Sequence, residues 1–288
     1  MKECESTTEK ARKEGHISKL ERYVNAARHF NLMSDVFMSV ALKDIEACQY
    51  VLRVLTENEN LFIKDVRTQY QIPSVSSHDV RLDVLAEDHG WSLYHIEIQR
   101  KNTVDHARRI RLYASMIDSN FLRKGTSYDQ MPEVYIIYIS ETDIWKKGRL
   151  TYPIEKRLKN TTALYEDGLH ILYINTAIND GSPIAELMQY FKKTDPDDMR
   201  FGALSKRIHY LKKEEGGYVE MCEISEMIFN EGKNEGHNEG RAEKAKETAF
   251  VLQERGLPVE EIANILRESI QQVQDWLLPV DSMTDIRK

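Results

Sequence analysis

The sequence predicts an α/β protein: a mixed central β-sheet flanked by helices, followed by an all-α C-terminal extension. Three observations carry this. EVYIIYIS (133–140) and LHILYINT (169–176) are apolar without alternation, as strands buried on both faces are. RLDVLAEDHGWSLYHIEIQR (81–100) alternates through two runs joined by a polar turn holding Gly90, the pattern of a β-hairpin. From about residue 197 onward no strand pattern remains.

Residues 1–30 read as a charged leader followed by a helix over SKLERYVNAARHF, with Ser18 as its cap. A core is expected over 31–196. It opens with the helical region NLMSDVFMSVALKDIEACQYVLRVL, where Ile45, Cys48, Val51, Leu52 and Leu55 recur at helical spacing. NLFIKDVRTQYQI alternates as a strand and leads through Pro73 into a loop before the hairpin. In the hairpin, Leu82, Val84 and Ala86 share a face with Tyr94, Ile96 and Ile98. Arg81, Asp83, Leu85, His95, Glu97 and Gln99 lie opposite.

The helix TVDHARRIRLYASMIDSNFLRKG follows, with Thr103 as cap, Gly125 as stop, and a stripe of Ile110, Tyr113, Ala114 and Ile117. The two apolar strands come next, with parallel pairing expected where a helix separates strands. GSPIAELMQYF then opens a helix at cap Ser182 and Pro183. Over 197–240, two helices lead into the charged connector NEGKNEGHNEGRAEKAKE. Over 241–288, Gly256 stops one helix and Pro258 starts another. Ile262, Ile265, Leu266, Ile270, Val273, Trp276 and Leu277 would pack as a helix-turn-helix-like unit. Its second helix offers Gln271, Gln272, Gln274 and Asp275 but no Lys or Arg, so packing or homodimerisation competes with base reading.

The 288 residues suffice for one sizeable core plus appendages, or for two small domains. A net charge of -7 argues against indiscriminate coating of nucleic acid but leaves room for a local basic surface. Cys4, Cys48 and Cys222 are scattered and show neither disulfide nor zinc spacing. Without an apolar leader or membrane-length run, a soluble cytoplasmic protein is expected. No GxxxxGK[ST], GxGxxG or GxSxG occurs, so nucleotide-binding and serine-hydrolase readings lack support.

Folded about Gly90, the hairpin sets Asp83 opposite Glu97, and like charges facing across strands repel. One explanation is a wet face, with His95 a surface or packing residue. The other is a hard cation such as Mg²⁺, which takes oxygen ligands and few protein carboxylates, with the Ile98 carbonyl as a further donor. Such an ion would lower the pKa of a bound water and offset phosphate charge. Arg108, Arg109 and Arg111 could hold DNA phosphates, or form salt bridges with Asp105 or Asp118; Arg100 and Lys101 extend the patch.

RLDV…YHIEIQR, with NLMSDVFM before it and HARRIRLYASMID after, resembles the PD-(D/E)xK nuclease superfamily, and within it the recombination-promoting nuclease group labelled PD-(D/E)xK family transposases. PEVYIIYISE, DGLHILYIN, SPIAELMQYF and DPDDM follow in the expected order, so the resemblance covers roughly residues 30–215. It implies a restriction-endonuclease-like core with the acidic hairpin at the active edge. Asp83 and Glu97 would be metal ligands for Mg²⁺ or Mn²⁺, the substrate DNA, and the product a cut phosphodiester, with a link to recombination or mobile elements. Arg109 and Tyr113 match a recurrent Arg…Tyr pair of the group, expected on DNA. Such nucleases often carry an additional acid on the early helical region, where Asp35 and Glu46 are the candidates, against cap or surface roles. Gln99 stands where most of the superfamily has lysine, and Leu82 where the motif proline would be. A glutamine only hydrogen-bonds, so the alternative is a non-catalytic nucleic-acid-binding or assembly protein on a degenerate nuclease fold.

Overall fold

The computed structural model describes residues 30–73, 79–100, 105–122, 125, 127–266 and 268–277. The expected leader helix and the expected cap Thr103 lie outside these residues.

Two helices, α1 (Asp35–Leu42) and α2 (Ile45–Thr56), replace the single early helical region. The break has a local cause. Asp44 takes an extended backbone and its carboxylate accepts from Ala47 N at 2.9 Å, capping α2 just as α1 ends. Ile45, expected on the buried face, stands at the first turn and is exposed. Strands β1 (Ile63–Ile72), β2 (Val80–Asp88) and β3 (Leu93–Gln99) follow, then α3 (His106–Phe121). After a 3-10 turn at Tyr128–Gln130 come β4 (Val134–Ser140), β5 (Thr151–Ile154), β6 (Leu169–Asn175) and α4 (Pro183–Lys193). A second 3-10 turn, Met199–Phe201, leads into α5 (Gly202–Lys213) and α6 (Glu215–Glu254).

The strands form one mixed sheet in the order β1-β2-β3-β4-β6-β5. β3, β4 and β6 run parallel at its centre, while β1–β2, β2–β3 and β5–β6 pair antiparallel. Helices cover both faces. Phe37, Leu52, Phe191, Leu204 and Ile208 pack with Ile96, Ile137 and Ile139 on one. On the other, α3 lays Ile110, Tyr113, Ala114 and Ile117 against Leu85, Leu93, Ile136 and Tyr138, the stripe its spacing predicts. β4 is buried almost throughout, whereas β6, beside the four-residue outer strand β5, is fully buried only over its last three residues. That edge strand escaped the sequence reading; it is short and carries Pro153, which edges tolerate.

One expected face is wrong. Leu82 joins Leu85 and Leu93 under α3, whereas Val84 and Ala86 point to the opposite core. The strand changes sides at Asp83. Across from it, between the pairs Tyr70↔Leu82 and Thr68↔Val84, Gln69 holds a left-handed φ of 49°. A left-handed residue breaks the two-residue alternation, and such irregularities re-aim a neighbouring side chain.

At α4, Ser182 Oγ accepts from Ala185 N at 3.3 Å, and Pro183 begins the helix as predicted. Ser182→Ala should lower unfolding free energy by about 1 kcal/mol in urea titration; an unchanged midpoint would mean the cap contributes nothing.

The chain divides into two compact units between Ser225 and Glu226. In the second, α7 (Val259–Leu266) and α8 (Ile270–Leu277) bury Ile262, Ala263 and Val273 together with Ala249, and Gly256 ends the preceding helix at φ 84°. Ile265 and Ile270, expected inside, are exposed. Among the described residues no helix is long and apolar enough to cross a membrane.

Candidate active site

The β2–β3 ladder runs to Val84↔Ile96, and one step further the count brings Asp83 level with Glu97. There the backbone hands over to a side chain: Ile98 N donates to Asp83 Oδ2 at 3.3 Å. From α1, Ser39 Oγ donates to the Asp83 carbonyl at 3.3 Å and accepts from Gln69 Nε2 at 2.7 Å. Helix and neighbouring strand thus both fix the point where β2 turns.

Neither carboxylate lies in solvent. Asp83 is 9% exposed, Glu97 5% and His95 0%, because α3 covers them. The wet-face explanation is therefore incorrect. Tyr113 Oη donates to Glu97 Oε1 at 3.0 Å, and Arg109 Nη1 stands 3.8 Å from the same oxygen. Glu97 Oε2 has no hydrogen-bond partner; it lies 3.4 Å from His95 Nε2, which has none either. His95 Nδ1 is 3.1 Å from the Val84 carbonyl and donates to it, which leaves Nε2 as the ring atom that faces Glu97.

Burial first, and the negative Glu97 second, raise the Asp83 carboxyl to about 7. The Tyr113 phenol is also pushed up by burial and by Glu97, so it remains a proton donor. These groups open onto a cavity of about 380 Å³ that Asp35, Gln99, Arg100 and Arg109 also line.

Gln99 is not isolated. Its Oε1 accepts from Arg109 Nη1 at 3.3 Å, and Arg109 Nη2 reaches Asp105 at 3.5 Å. Arg109 and Tyr113 sit one helical turn apart on the side of α3 that meets the sheet. Tyr113, expected on DNA, instead spends its hydroxyl on Glu97. Arg108 and Arg111 are exposed and line no part of the cavity. Asp35, in the first turn of α1, does line it; Glu46, in the first turn of α2, faces solvent, where a helix N-terminus favours an acid, and stays outside. Lys101 lies outside the described residues. Sequence reasoning missed the links from His95 to Glu97 and from Arg109 to Gln99. Only the one-turn spacing of Arg109 and Tyr113 hinted at a shared face.

A family model for PD-(D/E)XK nuclease family transposases matches residues 56–215, more than half of the chain. The chain belongs to this family. The match spans all six strands and includes Asp83, Glu97, Gln99, Arg109 and Tyr113, whereas Asp35 and Glu46 precede it. No curated protein and no solved structure matches the chain.

PD-(D/E)XK nucleases generally use divalent metals such as Mg²⁺, and the residues present fit one. Glu97 Oε2 is a buried acceptor without a partner, and the Asp83 carboxyl carries the strain of a second negative charge beside it. Among the described residues no three His, Cys, Asp or Glu side chains converge as a metal cluster. A cation would rest on two carboxylates plus backbone or solvent oxygens, the sparse ligation that magnesium accepts.

Proposed function

We propose that this protein is a divalent-metal-dependent endodeoxyribonuclease that hydrolyses phosphodiester bonds, acting in the cytoplasm in DNA recombination or the movement of mobile elements. The buried Asp83–Glu97 pair carries this reading: two desolvated acids stand side by side, and one Glu97 oxygen has no hydrogen-bond partner although Arg109 stands 3.8 Å from the other. Asp83 and Glu97 would hold Mg²⁺ or Mn²⁺, with the Ile98 carbonyl as a further donor. When bound, such an ion acidifies water and offsets charge on a phosphate under attack.

The chain's own residues do the positioning. Tyr113 fixes the rotamer of Glu97 through one oxygen and leaves the other open. Arg109 engages Gln99 through its carbonyl oxygen, which leaves the amide hydrogens of Gln99 to orient a water or a phosphate oxygen. It also brings to the cavity the positive charge that a lysine at position 99 would have supplied, which favours catalysis over a degenerate site. Arg100 at the cavity, and Arg108 and Arg111 on the exposed side of α3, would meet the DNA backbone. Double-strand cleavage calls for two sites. A homodimer through the C-terminal helices would supply them, and exposed Ile265 and Ile270 give it apolar surface.

Supercoiled plasmid incubated with the purified protein should be nicked in Mg²⁺ or Mn²⁺ and remain intact in EDTA. Folded protein that leaves plasmid intact across a titration of both metals would defeat the assignment.

A further inference from the structure

Beside the carboxylates, the same sheet face carries a chain of aromatic rings that the hydrolytic reading leaves unused. Glu97, Tyr138 and Tyr173 are in register on three adjacent parallel strands. Two strand spacings, about 10 Å, therefore separate Glu97 from Tyr173. His106, at the start of α3, shares a 2.9 Å hydrogen bond with the Tyr173 hydroxyl. The indole of Trp145 stands perpendicular to both rings, with centroids 5.3 Å from His106 and 5.5 Å from Tyr173. Among the described residues no ring stacks parallel on the indole, and it remains 39% exposed.

Trp145 stands on the segment 141–150, which leaves β4 at Ser140, the register partner of Gln99. This loop is built, not loose. Asp143 accepts from Tyr152 Oη at 2.6 Å and from Gly148 N at 2.7 Å, and Tyr152 Oη accepts in turn from Arg149 N at 3.1 Å. Glu141 is engaged by Arg100 at 3.2 Å. Both acids of the loop are thus committed to internal contacts. Lys146, Lys147 and Arg149 are exposed and form no ion pair among the described residues.

We propose that Trp145 is a stacking site for an unpaired base of the DNA strand whose phosphate lies at Asp83 and Glu97, with Lys146, Lys147 and Arg149 holding the adjoining backbone. The inference rests on the nuclease reading above and narrows its substrate to DNA with a single-stranded stretch next to the cut. An exposed indole offers a flat face to any base, and the flanking cations track phosphates; together these are what single-strand grooves use. Paired DNA keeps its bases stacked on one another and gains only the charge contacts.

Two probes of one sequence, a continuous duplex and the same duplex with a short single-stranded gap carrying a fluorescent adenine analogue, separate the possibilities by anisotropy in EDTA. Wild type should prefer the gapped probe and quench its analogue. Trp145→Ala should reduce that preference by roughly 10-fold or more, the usual loss when a stacking ring is removed, and Trp145→Phe should restore most of it. Wild type that cleaves plasmid yet binds both probes equally would overturn the stacking site and leave the nuclease standing. An alanine variant that keeps the full preference would do the same. Protein that neither binds nor cleaves would remove both.

Discussion

Asp83→Asn and Glu97→Gln proteins should fold and yet lose metal-dependent cleavage by on the order of 10³-fold, since a metal's charge stabilisation is several kcal/mol and each 1.36 kcal/mol is tenfold. Both changes keep shape and hydrogen bonding. An asparagine oxygen can still accept from Ile98 N, and a glutamine oxygen from Tyr113 Oη. What each removes is one negative ligand. Initial rates of plasmid nicking over a magnesium titration test this directly. Higher metal should recover part of the rate if affinity is lost, and none if the ligand also shapes the reacting geometry. Rates equal to wild type in both variants would trace the cleavage to a contaminant. Unimpaired DNA binding by a wild type that never cleaves would favour the non-catalytic alternative instead.

Much of this site was legible because hairpin pairing is arithmetic. Alternation and a turn about Gly90 are enough to set Asp83 against Glu97, and the stripe of α3 follows from helical spacing. Burial was not legible. Arg108 and Arg111, on the same helix as Tyr113, make α3 read as a solvated cation-bearing surface, and nothing local says that its other side seals the acids. The turn of β2 at Asp83 was hidden as well. It depends on a left-handed Gln69 one strand away, and glutamine carries no signal for that conformation. Glu46 failed for a different reason. The cap at Asp44 starts a new helix there, and Glu46 stands in its first turn, away from the cavity that Asp35 lines. Arg109 was visible as a charge but not as the partner of Gln99, because that link joins a strand end to a helix across residues with no periodic relation.

In metal-free protein the Asp83 site should contribute less stability as pH rises from about 4 to about 7, against the usual behaviour of a carboxylate. The Asp83 acid, ordinarily at 3.8, titrates near 7 in the folded chain, so between those values the native state holds a proton that the unfolded chain has released. Raising the pH therefore favours unfolding: the contribution is complete below the unfolded value and gone above the folded one. Moving one titration that far corresponds to about 4 kcal/mol as an upper bound, or roughly 10 °C in the melting temperature of a unit this size. In EDTA, the wild-type melting temperature should fall between pH 5 and pH 8 relative to Asp83→Asn, whose amide does not ionise (pH values on the order of those bracketing the shift). At the upper pH the variant should be the more stable protein. Magnesium should then raise the wild-type value in proportion to the logarithm of its concentration and leave the variant nearly unmoved, because only a ligand bound to the native state stabilises it. Parallel pH profiles for the two proteins in EDTA would show that the acids are relieved by something other than a cation, and the metal assignment would fall with them.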